Sequence, residues 1–405
     1  ISTGIVLFIF LVIGRCASST LSDFIFNNKK YLGLYYSSLF FIGCYCMWVI
    51  TCSFLFGMKK IGKANSFQLL IVAILPLIIT YIFAGTKNAA SILAFIGAGY
   101  LISLFVLIGE IVKAKWLSFE EIKTSLTTLL KYGLPRMPGD FAFAGLFIIG
   151  PFLASYFGNL KDAGFFVIGQ YVFRIMEAVI AAFGLVALPQ MAQLLTEGKE
   201  KFLKVSIENL LVMIFHLGLF ITIHSFLWSK EVLFVWLGSD YLEAVPVVKL
   251  LILSLAPYLG FVLLRSVIDA VEVRAINTLN LFVSLIVVVI MSLILEYAGL
   301  GLCGLAIGST MGCATLGILT GSYLMKRYSI SFNNFMFYRI LLINSALAVI
   351  AIIVKQYVVT AFNEYNLLIA GFLIEVLLFS SYLYYLYTKN TQWILGIKRR
   401  VILQE

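Results

Sequence analysis

The chain has 405 residues, of which 62% are hydrophobic and only 12% charged, with a mean hydropathy of +1.05. Soluble domains average about 45–50% apolar and about 25% charged residues; no core could hide this excess, so a soluble enzyme is excluded and lipid is the solvent. The net charge of +10 lies in short loops between apolar runs, which argues for membrane orientation and against a nucleic-acid partner.

Thr3 to Gly14 form an apolar run too short to span, with no basic region before it; it reads as the tail of a truncated helix and not as a signal peptide. A roughly 30 Å hydrocarbon core needs about 20 apolar residues. Runs of that kind are predicted at 31–56, 66–84, 89–112, 134–157, 163–188, 207–228, 245–266, 276–297, 300–325, 338–358 and 366–387, twelve segments with the partial first one. The expected fold is an all-α membrane protein, with no loop long enough for a soluble catalytic domain. Five of the six cysteines lie inside apolar segments and Cys16 at a segment end. None has zinc-ligand spacing, so they read as packing residues, and neither metal nor cofactor is expected.

Lys and Arg in alternate loops number nineteen on one side and seven on the other. The richer set includes Lys59, Lys60, Lys63, Lys199, Lys326, Arg327 and the C-terminal Lys398, Arg399 and Arg400, so that side, with the C-terminus, is expected to be cytoplasmic. From Trp116 to Lys131 the pattern changes. Ser118 and Glu121 form a capping box, and Ile122, Leu126, Leu129 and Leu130 fall on one helical face. An interfacial amphipathic helix is expected there. The predicted organisation is an N-terminal bundle (1–115), this linker (116–131), a six-helix bundle (132–328) and two further helices with a basic tail (329–405). A weaker amphipathic stretch covers about Gln190 to Lys204. Gly304, Gly308 and Gly312 recur every four residues, as do Gly317 and Gly321. Such spacing lets helices approach closely in lipid, or provides a hinge.

Ionisable residues inside spans carry the functional signal, because a central charge costs about 2.5–3.5 kcal/mol on insertion scales. Arg174 falls near the middle of 163–188, with Gln170 and Glu177 on the same face. It is either an anion contact lining a cavity or half of an Arg174–Glu177 packing pair. Arg136 and Asp140 open the preceding span; Arg136 either snorkels to the interface or adds charge to a cavity mouth. Arg265, Asp269 and Glu272 read as a solvated ion-pair cluster, and Pro257 is placed to kink its span. His216 and His224 share one span, and Glu375 sits mid-span near the C-terminus; His216 and Glu375 are the candidates for ion or proton coupling, and Glu375 also for lining a lipid groove.

The run Leu130-Lys-Tyr-Gly-Leu-Pro-Arg136-Met-Pro-Gly-Asp140, then Gly164-Phe-Phe-Val-Ile-Gly-Gln170-Tyr and Leu188-Pro-Gln190, resembles the start of the second bundle in polysaccharide-export flippases. These are the Wzx-type O-antigen and exopolysaccharide flippases of the multidrug/oligosaccharidyl-lipid/polysaccharide superfamily. The loop Phe56-Gly-Met-Lys-Lys60 leading to Ala64-Asn65, and the glycine-rich span ending in Lys326-Arg327, are similar too. The resemblance implies two pseudo-symmetric six-helix bundles plus two C-terminal helices, here without about two N-terminal ones. It implies alternating-access transport of an undecaprenyl-diphosphate-linked oligosaccharide across the inner membrane of a bacterial or archaeal cell, with no bond chemistry. Membrane lipids, a polysaccharide polymerase and assembly proteins are the implied partners. The rival readings are a cation-coupled multidrug antiporter of the same superfamily and a membrane-embedded polysaccharide polymerase.

Overall fold

The computed structural model describes residues 11–26, 32–58, 60–83, 85, 88–114, 137–272, 274–330, 334–361, 370–371, 373–386 and 388. The linker 116–131, Arg136 and most of the partial first segment lie outside them. The described residues are helical with no strand. They contain seven helical runs long and apolar enough to cross a membrane, and a bent pair adds an eighth, against the twelve crossings expected. The chain divides into two compact units, Ile1–Tyr132 and Gly133–Glu405.

The first unit holds α1 (Ser18–Phe26), α2 (Leu32–Gly57), α3 (Ile61–Gln68), α4 (Leu75–Phe83), α5 (Ala89–Tyr100) and α6 (Ile102–Ala114), with a π-helical turn at Leu69–Ile74 joining α3 to α4. Its core is Cys44, Trp48, Cys52, Ile71 and Tyr100, with Phe41, Tyr45 and Trp48 packed edge-on to Tyr100. Cys44 and Cys52 pack as expected, as does Cys313 in the second unit, whereas Cys16 and Cys303 are exposed. Lys60 and Lys63 both reach the carboxylate of Glu110, which is only 5% exposed, so part of this basic loop is folded down onto α6.

The second unit holds α7 (Met137–Phe157), α8 (Leu160–Thr196), α9 (Glu200–Leu237), α10 (Val245–Ile252), α11 (Leu255–Val271), α12 (Ile276–Leu295), α13 (Gly301–Arg327), α14 (Asn334–Ala361) and α15 (Leu373–Leu386). Asn159 caps α8 by accepting from the Lys161 and Asp162 amides. At about 1.5 Å per residue α8 is roughly 55 Å long, more than a bilayer core requires. The stretch 190–204 is not one amphipathic helix. Gly198, at φ +68, breaks it into the end of α8 and the start of α9.

Except at Gly321, the glycine stripe is packing. Run Ile276–Arg327 folds back at Glu296–Leu300, where Gly299 takes φ +82, so α12 and α13 form an antiparallel hairpin. A Cβ at Gly308 would stand 2.5 Å from the Ser292 backbone nitrogen, and one at Gly312 2.9 Å from the Ser284 carbonyl. Only glycine lets the two backbones come that near.

Pro257 does what its sequence position predicts. It has no N–H for the carbonyl four residues earlier, and the helix breaks at Leu253–Ser254, with α10 and α11 meeting at 53°. Thr310 of α13 donates to the carbonyl of Leu250 (2.7 Å) beside the break. That carbonyl also accepts from the Leu253 N–H at 3.3 Å, so the Thr310 hydroxyl reinforces backbone at the bend.

Candidate functional site

α7, α8 and α11 come together around Phe147, Phe173, Tyr258 and Phe261, with Tyr258 and Phe261 fully buried. Three of the predicted residues lie on α8 beside this aromatic core, and each does something different. Gln170 is structural. Pro151 inside α7 lacks the N–H that would satisfy the carbonyl of Phe147. The Gln170 Nε2 donates to that carbonyl at 2.6 Å, closing the gap from the neighbouring helix. Pro151 was the sequence signal for this, four residues after Phe147.

Glu177 is not Arg174's partner. Its Oε2 accepts from the Tyr258 hydroxyl at 2.8 Å, and no Arg174–Glu177 ion pair forms within 4.0 Å. Of the two alternatives, the self-contained pair is not formed; the carboxylate makes a bond between helices instead. One turn of separation put the two charges on the same face, but Tyr258 of α11 claims the carboxylate.

Arg174 itself is exposed on the second unit. Its guanidinium lies over the ring of Phe147, 5.9 Å from the centroid, and among the described residues no carboxylate comes within 4.0 Å. Four residues earlier on α7, Phe143 carries the guanidinium of Arg265 at 5.6 Å. A cation–π contact holds a guanidinium in place without neutralising it. Arg174 is therefore a positioned positive charge, fifteen residues into a 37-residue helix, free to meet an anion.

Asp140 sits in the first turn of α7 and stands 3.9 Å from Arg265, with the two side chains 76% and 41% exposed. At that distance and exposure the pair contributes little. The expected cluster of Arg265, Asp269 and Glu272 is not self-contained either. Asp269 accepts from Asn277 of α12 at 3.0 Å, and Glu272 pairs with Arg327 of α13 at 3.1 Å. The charges expected as a cluster on one helix tie three helices together.

The two histidines, the only ones in the chain, both point at the last helices. His216 Nδ1 stands 2.5 Å from the Tyr382 hydroxyl, which also accepts from Asn344 of α14 at 3.1 Å. Glu375 does not lie with His216. It faces His224, Nδ1 to Oε2 2.6 Å, and its other oxygen accepts from Trp228 at 2.6 Å. Farther along α9, Glu231 pairs with Lys355 of α14 at 2.8 Å. Sequence spacing could not have found these pairings, since the partners are more than 120 residues apart. Among the described residues no group of three or more His, Cys, Asp or Glu side chains is placed to hold a metal ion.

No family model and no curated protein matches the chain. Among solved structures it is similar to a protein titled "Lipid II flippase MurJ, inward closed conformation", with a TM-score of 0.70 at 16% identity, over 96% of this chain and 82% of that one. The chain has that all-helical, multi-pass membrane fold.

Proposed function

We propose that the chain is a flippase for a lipid-linked glycan, carrying an undecaprenyl-diphosphate-linked oligosaccharide across the inner membrane for polysaccharide synthesis. The observation that carries this reading is Arg174: a guanidinium part-way along a membrane helix, seated on Phe147 and unmatched by any carboxylate within 4.0 Å among the described residues. A charge is tolerated at such depth where it meets a partner or a watery cavity. A diphosphate matches a planar guanidinium in charge and geometry. The MurJ-like fold agrees with a carrier of lipid-linked precursors. Movement would follow alternating access, with the bundle 132–328, the helices of 329–405 and a cytoplasmic C-terminus as the sequence suggests. Gln170 and Glu177 would shape the site through Phe147 and Tyr258, and Arg136 and Asp140 would stand at its cytoplasmic mouth.

The test is complementation of a strain lacking its polysaccharide flippase. Arg174→Ala should abolish polymer export while the protein inserts at normal abundance, because removing Arg174 strands no carboxylate. Arg174→Lys should retain part of the export, since lysine binds phosphate as a point charge. Full export by Arg174→Ala would sink the reading.

A further inference from the structure

The interface between α9 and the last two helices carries buried polar contacts among its aromatic ones, which the flippase reading leaves unused. His216, Phe220, His224 and Trp228 recur at four-residue spacing on α9 and form one stripe. Gly371, Glu375, Phe379 and Tyr382 form the answering stripe on and just before α15. Gly371 abuts the Trp228 ring, Phe379 meets Phe220 with centroids 5.4 Å apart, and Tyr382 meets His216. Burying ionic groups confers little stability that apolar packing would not, and ionisable residues within membrane helices are functional until shown otherwise.

We propose that the His224–Glu375 pair is a proton-binding site whose occupancy decides how firmly α15 grips α9. Both residues are well buried, the side chains 7% and 19% exposed. Phe220 stacks on the imidazole at 4.0 Å, and both imidazole nitrogens and Glu375 Oε2 are buried with no hydrogen bond, the Nδ1–Oε2 approach being an ion-pair contact only. The charge count at this position depends on one proton. With it, imidazolium faces carboxylate and the pair is neutral. Without it, the pair carries a net negative charge and the neutral imidazole keeps a single N–H; with a second proton, a lone imidazolium remains. Uptake takes H⁺ from water and forms the ring N–H, and release returns it to water. The neighbouring groups do not compensate. Glu231 of α9 is matched by Lys355 of α14, seven residues or roughly 10 Å along the helix. His216 of α9 is bonded to Tyr382 of α15. Arg339 of α14 lies at the far end with Tyr385 of α15, 2.5 Å away. Lys249, on α10, lies over Phe226.

Hydrogen–deuterium exchange of the α15 peptide, in the full chain in lipid nanodiscs from pH 5 to 9, tests this. Rates are corrected for intrinsic pH dependence and compared with α12. A one-proton linkage allows up to about a tenfold change in opening per pH unit. The wild-type α15 should lose protection over one to two pH units as the proton leaves. His224→Gln and Glu375→Gln should each flatten the curve, and His216→Gln should keep it. A flat wild-type curve overturns the proposal, as does a titration that survives in both the His224 and Glu375 variants. The readout is helix protection, so it stands or falls independently of what the chain transports.

Discussion

Gly317→Ala should weaken the second unit, while Gly321→Ala, one turn later on the same helix, should strengthen it. A Cβ at Gly317 would stand 2.0 Å from the carbonyl oxygen of Pro257 and 2.4 Å from its carbon. That is about 1.5 Å short of the roughly 3.5 Å at which such atoms sit comfortably. The obstacle is backbone just past the α10–α11 break, so it cannot rotate aside and the helices must part. Overpacking of this kind costs about 1–3 kcal/mol, offset by about 0.5–1 kcal/mol because alanine is the better helix former. At Gly321 the nearest atom is Leu211 Cδ2 at 3.9 Å, so only the helix-forming gain remains. The net cost is then about 0–2.5 kcal/mol; with about 2–4 °C per kcal/mol for a domain of 150–250 residues, Gly317→Ala should melt up to roughly 10 °C below wild type and Gly321→Ala slightly above it. Scanning fluorimetry in detergent at one fixed heating rate reads both. Shifts of the same sign would refute the close-approach argument.

Gln170→Leu should cost about 1–3 kcal/mol by stranding the Phe147 carbonyl, and Pro151→Ala in the same chain should recover most of it by restoring the N–H within α7; thermal midpoints of the single and double variants decide. Lys355→Met should strand Glu231 and cost roughly 3–5 kcal/mol, seen as low abundance in membranes, and adding Glu231→Leu should bring the protein back. In a chain freed of native cysteines, Asp240→Cys should label from outside intact cells and Glu197→Cys should not; the reverse pattern would invert the orientation drawn from the basic loops.

Composition and run length made the membrane fold legible, because the bilayer demands long apolar helices whatever their packing. Local rules also carried Pro257 and the glycine stripe to their structural consequences, since both act on backbone within a turn of themselves. Pairings across helices were not legible. Helical spacing placed Glu177 beside Arg174, yet Tyr258, 81 positions away, takes the carboxylate. In the sequence Glu375 is a coupling or lipid-groove residue without a partner; its contact with His224 depends on the register of α15 against α9. Gln170 was a cavity candidate because it shares a helical face with Arg174. Its role follows from Pro151 on another helix, a link visible only when the two helices are side by side.

The most direct test of the account is reconstitution. The purified chain is placed in proteoliposomes with a fluorescent polyprenyl-diphosphate glycan in the inner leaflet, and its appearance outside is read with a membrane-impermeant lectin or quencher. The wild-type protein should move the lipid well above empty vesicles, Arg174→Ala should not, and a cationic dye should stay where it was loaded. Wild-type vesicles that expel the dye while leaving the lipid unmoved would contradict the account and favour a multidrug antiporter.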